Sequence, residues 1–453
     1  MTTQMSRQQF LRAGAVGLAG VMAAGALAPE RGVAATRAAA TITGNLEVWD
    51  WSPAPDKYGE AQQAAFYKWF PTQYPHLHFS DTVYGYTDLL PKLEVAFRGG
   101  GGPDVTRAAI AWSPQFVNED MFEPLTPARL SRLGLSIDDF WPQALQTVRK
   151  AGQTSAFPLY GLPTNNEAML LIYNKGLFRQ AGLDPRKGPD TWEALASYSK
   201  TIHARTGKYG YGLVAVLNNG NTPFRFCPVM WAYGGSIFDE LTAHPTWRKV
   251  GINAPGTVAA LALYNRMYNV DKSVPPSALS DQESDMATLF LDGKVAMIID
   301  HPSAAAQVHQ LAPHIELGGA LLPRGPARRA VVFGGSNAHI RKGTHNLPAA
   351  LAFVKAYESP NWNARLAGLG SNPGNRQGFH TAAEKQRDKM LLFNNVTLEM
   401  MKYGVNVPLV AQGAQIWNQT IPSMIQRVLT KQQTPQQSAA QAESEIKGIM
   451  ASS

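Results

Sequence analysis

A regular alternation of short strands and helices is the feature that most constrains the fold of this chain. Alternating apolar residues predict strands at 46–49, 77–79, 103–105, 170–173, 211–216 and 294–300. Helical spacing predicts helices at 60–70, 87–98, 191–204 and 256–268, the first of them ended by Pro71. This rhythm predicts α/β lobes with mostly parallel sheets.

The size and composition of the chain favour a two-lobed soluble protein. Its 453 residues are more than one core usually holds, and 45% of them are hydrophobic while 16% are charged. No low-complexity linker divides the chain, which indicates that it crosses between lobes more than once. The net charge of +8 is scattered, so nucleic acid is not the expected partner. A single cysteine, Cys227, excludes an internal disulfide framework and Cys-rich metal centres.

Residues 1–40 have the organisation of a secretory signal peptide. Arg7 and Arg12 are followed by an uncharged apolar stretch at 13–27, and alanines at 38–40 offer a cleavage site. Because Gln8 stands where a twin-arginine signal has its second arginine, both Sec export and an atypical Tat route stay open. No cysteine lies near the cleavage site, so no lipoprotein anchor is expected. We therefore expect a periplasmic or other extracytoplasmic location.

Motifs of enzymes and metal proteins do not occur in the sequence. There is no H-E-x-x-H, no G-x-S-x-G and no Walker loop. The glycine run at 99–102 follows a helix rather than a strand, which is typical of a flexible connection. His76 and His78 lack a third ligand in sequence reach. We expect no cofactor, no bound metal and no catalytic residue.

Aromatic residues instead recur beside small polar residues, several of them after predicted strand ends. In open α/β sheets ligands bind outside the carboxyl ends of strands. Sugars offer flat C–H faces to aromatic rings and hydroxyl groups to carboxylates, although each aromatic could equally fill core volume. The candidate residues from this pattern are Trp51, Trp112, Phe224, Trp231, Asp300 and Trp417.

Several motifs give the chain a family resemblance. The sequence Tyr160-Gly161-Leu162-Pro163, followed by Glu167, Tyr173-Asn174-Lys175 and Pro189-Asp190-Thr191-Trp192, resembles the signature of family 1 extracellular solute-binding proteins. These are the maltose-binding-protein-like receptors of ABC importers. Further matches, including Gly102-Pro103-Asp104, Phe333-Gly334-Gly335 and Ser371-Asn372-Pro373, extend the resemblance over nearly all of residues 41–453.

The resemblance implies an α/β type II periplasmic-binding-protein fold with two lobes joined by a multi-crossing hinge. By matching segments, lobe one is expected at 41–164 and 337–386, and lobe two at 166–333 and 387–453. It also implies a monomer that captures a small-molecule sugar and passes it to the transmembrane subunits of an ABC permease. The Gly334-Gly335-Ser336 run suits a hinge, and Gly335 is expected at the ligand.

Further site residues follow from the resemblance one at a time. Glu167 stands where maltose-type receptors hold a sugar-binding carboxylate, and Phe224 and Trp417 stand at stacking positions. Trp51 matches a polar contact of the family, and Trp112 lies near, but not at, an aromatic contact position. Ser303 replaces a stacking aromatic, which argues against a linear maltodextrin.

Two classes of function remain open at this stage. In the preferred one, the protein binds an uncharged mono- or oligosaccharide; within the same class, a polyol or glycerol phosphate is the alternative. A phosphate would require arginines, and Arg225 and Arg376 are the candidates. In the other class, the protein is a secreted glycoside hydrolase with Glu167 and Asp300 as its acid/base pair.

Overall fold

The computed structural model describes residues 42–51, 57–242 and 245–452, and the signal peptide predicted at 1–40 lies outside them. The described strands are β1 (Gly44–Trp51), β2 (Leu77–Tyr84), β3 (Val105–Ala109), β4 (Leu162–Glu167), β5 (Leu170–Asn174), β6 (Met297–Asp300), β7 (Leu317–Ala320), β8 (Val331–Val332), β9 (Gly334–Ile340), β10 (Asn372–Pro373) and β11 (Gly404–Val405).

The described α-helices lie between these strands and after the last of them. They are α1 (Lys57–Gln73), α2 (Tyr86–Arg98), α3 (Ser113–Asn118), α4 (Pro127–Arg132), α5 (Pro142–Gln146), α6 (Lys175–Gln180), α7 (Trp192–Thr206), α8 (Asn221–Ala232), α9 (Pro255–Asn265), α10 (Glu283–Leu291), α11 (Pro302–Leu311), α12 (Leu347–Tyr357), α13 (Pro360–Leu366), α14 (Ala382–Asp388), α15 (Asn394–Met400), α16 (Gly413–Gln415), α17 (Ile421–Leu429) and α18 (Pro435–Ala451). Within the described ranges, none of the helices combines the length and hydropathy required to span a membrane.

The strands form two main sheets and one small one. The first sheet has six strands in the order β10-β4-β9-β3-β1-β2, and the second has three in the order β6-β5-β7. A two-stranded pair, β11-β8, completes the set. The chain leaves the six-stranded sheet after Glu167, enters the three-stranded sheet at Leu170, and returns to the first at Gly334. These passages make the fold a two-lobed α/β architecture with several crossings.

Parallel pairing is less common than the sequence predicts. β1 pairs in parallel with β2 and β3, and β8 with β11, but β9 runs antiparallel to β3 and β4, and β5 runs antiparallel to β6 and β7. The prediction of mostly parallel sheets is therefore wrong. The strands that arrive through the crossings enter from the opposite lobe, so they pair in the opposite direction.

Two further local predictions are wrong. Residues 211–216 do not form a strand, because their backbone hydrogen bonds go to different segments instead of to one neighbouring strand. Gly212 N–H donates to Met297 O at 2.9 Å, and Ala215 N–H donates to Ala278 O at 2.8 Å. Helix α1 continues past Pro71 to Gln73. A proline in the last turn removes only one hydrogen bond, which the turn tolerates.

A buried histidine lies in the core beneath the six-stranded sheet. His339 of β9 is fully buried, with Nδ1 2.6 Å from Tyr160 O and Nε2 2.8 Å from Ser113 Oγ. Its ring stacks on Phe122 with centroids 4.0 Å apart. Burial lowers the pKa of His339 to about 4, so the imidazole is neutral in the folded protein over the physiological range.

We expect acid to destabilise the protein partly through this histidine. Below pH 6.5 the unfolded chain protonates His339 while the folded chain does not, so stability falls as pH falls, by about 2 kcal/mol between pH 7.5 and pH 5 for this group. Urea unfolding of His339→Gln should show a shallower pH dependence by that amount. His309→Gln, at an exposed histidine of α11, is the control. Equal pH slopes in the two variants would contradict the assignment.

Candidate functional site

Three aromatic side chains meet at one edge of the six-stranded sheet. Trp51 ends β1, Tyr86 begins α2 just after β2, and Trp112 lies just after β3. The ring centroids of Trp51 and Tyr86 are 5.2 Å apart, and those of Tyr86 and Trp112 are 4.6 Å apart. We call these three residues the aromatic group. Because β1, β2 and β3 are neighbours, the segments after them converge at the carboxyl edge of the sheet.

A buried ion pair holds Trp51 in place. Arg107 Nε lies 2.6 Å from Asp50 Oδ1, and these side chains are only 5% and 1% exposed. Arg107 also donates from Nη2 to Trp51 O, and its guanidinium lies 4.6 Å from the centroid of the Trp51 ring. Asp50 accepts further hydrogen bonds from Gln63 and Tyr67. The network fixes the end of β1, and the Tyr86 ring, 36% exposed, gives the aromatic group an accessible face.

Five charged or titratable side chains form a second group, built from other parts of the chain. Arg225 Nη2, in α8, lies 3.5 Å from Glu283 Oε2 and 3.6 Å from Asp300 Oδ1. His301 Nδ1 lies 3.9 Å from Glu167 Oε2. We call Glu167, Arg225, Glu283, Asp300 and His301 the charged group. Arg225 and Asp300 are buried, while the other three side chains retain 15–24% exposure.

The protonation of the charged group follows from crowding of its carboxyl groups. Burial, and then the charge of Glu283, raises the pKa of Asp300 to about 7. Glu283 also resists ionisation through burial, but Arg225, His301 and a hydrogen bond from Asp300 outweigh it and lower its pKa. Burial raises the pKa of Glu167, against the opposing effects of His301 and the Gly335 N–H. Asp300 and Glu283 thus share a proton near neutral pH.

The negative charges of the charged group reach Tyr86 of the aromatic group. Desolvation by surrounding protein atoms, and then the negative charges of Glu167 and Glu283, raises the pKa of the Tyr86 hydroxyl. Tyr86 belongs to the segment after β2, whereas Glu283 begins α10 on the far side of the crossing. A small molecule lying between these residues would contact both lobes.

A cavity lies along one side of α2. It has a volume of about 390 Å³, within the range of ~300–1,000 Å³ for small-molecule sites. Leu90 and Glu94 line it from the same helical stripe as Tyr86. Gln415 and Asn418, from the C-terminal part of the chain, line the opposite wall.

The structure brings Phe224 and Trp417 together beside this wall. Their rings meet edge to face with centroids 5.5 Å apart. Trp417 is only 1% exposed, and its Nε1 has no hydrogen-bond partner among the described residues. A buried indole N–H of this kind is a position that a ligand oxygen could satisfy. Trp417 directly precedes the cavity residue Asn418.

Two of the sequence-predicted residues lie elsewhere. Trp231 is fully buried in α8, and its Nε1 donates to Glu240 Oε1 at 2.8 Å. Arg376 is exposed, with its guanidinium 5.3 Å from the centroid of the Trp141 ring. Neither side chain joins the aromatic group or the charged group. Eight other predicted positions are placed at or beside these features: Trp51, Trp112, Glu167, Phe224, Arg225, Asp300, Gly335 and Trp417.

Gly335 lies where β9 closely approaches β4, next to Glu167. Its φ angle is +130°, and its backbone pairs with Asn166 in the β4–β9 ladder. A Cβ atom here would lie 2.1 Å from Asn165 O. The close approach of the two strands therefore requires glycine, and the Gly335 N–H hydrogen-bonds to Glu167.

Tyr86, Glu283 and His301 are not among the ligand contacts predicted from the sequence. The expectation that ligands bind after strand ends would have included Tyr86, because this residue lies two positions after the end of β2. His301 directly follows Asp300, which was found. Glu283 gave no such signal: it looks like any acidic residue in the first turn of a helix.

Three residues of the charged group resemble a metal-binding set. Glu283, Asp300 and His301 each offer a ligand atom within 4.8 Å of the others. Arg225 Nη2, however, lies 3.5 Å from Glu283 and 3.6 Å from Asp300, so two of the three candidate ligands already pair with a cation of the protein. The donor set does not fit a metal, and we assign none.

The fold and the sequence both assign the chain to a class of two-lobed solute-binding proteins. The chain matches the family of bacterial extracellular solute-binding proteins over residues 8–364, and it belongs to that family. A binding protein of Brucella abortus (strain 2308) is 26% identical over 323 residues, 71% of this chain and 73% of that protein.

Solved structures show the same fold. A solute-binding protein of an ABC transporter from Thermotoga lettingae, bound with α-D-tagatose, has a TM-score of 0.74 at 24% identity and covers 90% of this chain and 100% of its own. UgpB from Mycobacterium tuberculosis, in complex with glycerophosphocholine, has a TM-score of 0.74 at 20% identity and covers 90% and 99%. The predicted type II periplasmic-binding-protein fold is confirmed.

Proposed function

We propose that this protein captures a mono- or oligosaccharide between its two lobes and delivers it to the transmembrane subunits of an ABC permease. The observation that carries the proposal is the aromatic group at the strand ends together with the partly exposed carboxylates of Glu167 and Glu283, whose charges reach Tyr86. Aromatic rings bind the apolar faces of a sugar, and carboxylates accept hydrogen bonds from its hydroxyl groups. The tagatose-bound neighbour supports a sugar as ligand.

The proposal includes a division of the chain and a location. Lobe one comprises 41–164 and 337–386, and lobe two comprises 166–333 and 387–453. The passage between sheets after Glu167 and the return at Gly334 support this division. The receptor acts as a monomer outside the cytoplasm, exported through the signal peptide at 1–40 by the Sec route or an atypical Tat route. Its lobes close over the ligand by bending at the hinge.

Glycerol phosphate or a polyol is the second candidate within the family. The glycerophosphocholine-bound neighbour favours it. The charged group argues against a phosphate, because Glu167, Glu283 and Asp300 would repel it and Arg225 is already between two carboxylates. Arg376, the other candidate for a phosphate, lies against Trp141 instead.

A hydrolase is disfavoured by the position of Asp300. Its side chain is 3% exposed and lies beneath Arg225, so it offers a reacting sugar little access. The predicted acid/base pair of Glu167 and Asp300 therefore lacks one of the two accessible carboxyl groups that glycoside hydrolysis uses. We therefore propose a binding protein and not an enzyme.

A ligand screen tests the proposed function. Thermal unfolding should be measured with hexoses, disaccharides, polyols and glycerol phosphates, since a ligand at 100 times its Kd stabilises a protein by about 2.7 kcal/mol. We expect a shift with at least one sugar, followed by compaction of the saturated protein in small-angle scattering. A shift with glycerol phosphates and none with any sugar would overturn the proposal.

Loss of the Trp51 ring should weaken the binding of the sugar found in that screen. Trp51→Ala removes a ring of the aromatic group worth about 1–2 kcal/mol, so calorimetry should show an affinity about tenfold lower. Trp49→Ala, two residues earlier on the same strand, is the matched control because its Nε1 hydrogen-bonds to Glu47 outside the aromatic group. Equal losses in the two variants would place the ligand elsewhere.

A further inference from the structure

The balance of charge around the site is negative. Arg107 and its partner Asp50 also contribute to the electrostatics of the site, because the charge of Arg107 lowers the pKa of Glu167. Four carboxyl groups (Asp50, Glu167, Glu283 and Asp300) therefore face two guanidinium groups (Arg107 and Arg225), with His301 as the remaining titratable residue. Fully ionised, and with His301 neutral, the site carries a formal charge of two negative.

Some buried polar atoms of the site have no hydrogen-bond partner among the residues that the structure describes. Within these residues, Arg225 Nη2 makes its two ion pairs at 3.5 and 3.6 Å but no hydrogen bond, although the side chain is only 2% exposed. His301 Nδ1 also has no hydrogen-bond partner in the described part of the chain. Arg225 Nη2 points towards Glu283 and Asp300, into the charged group. A buried donor in this position calls for an oxygen atom from a ligand.

We propose that the ligand carries a protonated amine as well as hydroxyl groups, as amino sugars do, and that Glu283 and Glu167 bind the amine. This inference rests on the proposed function, since it specifies the sugar held at the same site. The ammonium group donates hydrogen bonds to the two partly exposed carboxylates, and a neighbouring hydroxyl oxygen accepts one from Arg225 Nη2.

The protonation of Asp300 supports the same assignment. Burial and Glu283 raise its pKa to about 7, so the charged group takes up a proton from water near neutral pH. Protonation of Asp300 reduces the net negative charge of the charged group, which Arg225 alone does not neutralise. A cationic ligand would neutralise the same charge and leave Asp300 ionised.

The test compares sugars that differ only in the amine. Glucosamine, galactosamine and mannosamine are each titrated by calorimetry at pH 6.5 beside the corresponding neutral hexose and N-acetylhexosamine. We expect at least one amine to bind at least tenfold more tightly than both of its neutral counterparts, because hydrogen bonds between two ionised groups are the strong ones. If neutral sugars bind as tightly as the amines, or more tightly, the inference is wrong while the proposed function stands. If glycerol phosphates bind and no sugar does, both are wrong.

Substitution of one carboxylate locates the amine. Glu283→Gln should reduce the preference for the amine over its neutral counterparts to below threefold, because it removes the negative charge that the ammonium group pairs with. Glu316→Gln removes the same charge at a residue that pairs with Arg179 outside the charged group, and it should keep the full preference. Glu167→Gln provides a second variant if Glu283→Gln fails to fold. An undiminished preference in the folded variants would overturn the assignment.

Discussion

Gly335→Ala should destabilise the protein by about 3 kcal/mol or more, measured as a lower midpoint of urea unfolding. The φ angle of +130° is nearly restricted to glycine, and a Cβ atom would lie 2.1 Å from Asn165 O and 3.0 Å from Asn166 Cα. Relief of this contact requires β4 and β9 to separate. Because Gly335 N–H hydrogen-bonds to Glu167, the surviving folded protein should also bind its ligand less tightly.

Gly343→Ala is the matched control for that variant. Gly343 also has a positive φ angle, +71°, but no atom outside its immediate neighbours lies within 4 Å of the position of a Cβ. Only the cost of the left-handed conformation remains, about 1 kcal/mol. Similar losses in the two variants would show that conformation alone, and not the close contact between strands, makes glycine necessary at 335.

Arg107→Met should cost about 3–5 kcal/mol of stability, because it leaves the carboxylate of Asp50 buried without its cation. Gln63 and Tyr67 still donate to Asp50, but they carry no charge. The variant also removes the guanidinium that stacks on Trp51 and donates to its carbonyl, so sugar affinity should fall as well. Urea unfolding and calorimetry measure the two effects separately.

Two further variants distinguish this ion pair from an ordinary one. Adding Asp50→Asn to Arg107→Met should recover part of the stability, since it removes the unpaired charge. Lys447→Met breaks an exposed pair with Glu443 in α18 and should cost no more than about 0.5 kcal/mol. A loss of the same small size in Arg107→Met would mean that the Asp50 carboxylate finds solvent or another partner.

The distribution of charge gives the site its chemical character. Arg107 pairs with Asp50, and Arg225 pairs with both Glu283 and Asp300. Neither guanidinium group therefore offers an uncompensated positive charge to a phosphate. The carboxylates of Glu167 and Glu283 retain partial exposure, and their charges raise the pKa of Tyr86. This asymmetry favours a ligand rich in hydrogen-bond donors, which is the basis of both proposals.

The sequence by itself was sufficient for the family and for many of the local elements. The apolar alternation of β1 and the helical stripe of α2 are short-range patterns, and each is close to its predicted place. Trp51 and Trp112 could be predicted to lie at one edge of a sheet because the ends of adjacent strands converge whatever the details of packing. Glu167 and Gly335 were predicted as ligand contacts from the family resemblance, and those roles stay predictions.

Only the tertiary structure decided which of these side chains meet. Trp231 and Phe224 lie in the same helix, yet only Phe224 reaches Trp417, because the direction of each ring depends on what packs against that face. Arg107 and Asp50 are 57 residues apart, and His301 reaches Glu167 across 134 positions of the chain. Such pairs depend on how the sheets are brought together, as do the burial and mutual repulsion that set the pKa of Asp300. No local pattern encodes those distances, so the charged group emerges only once the chain has folded.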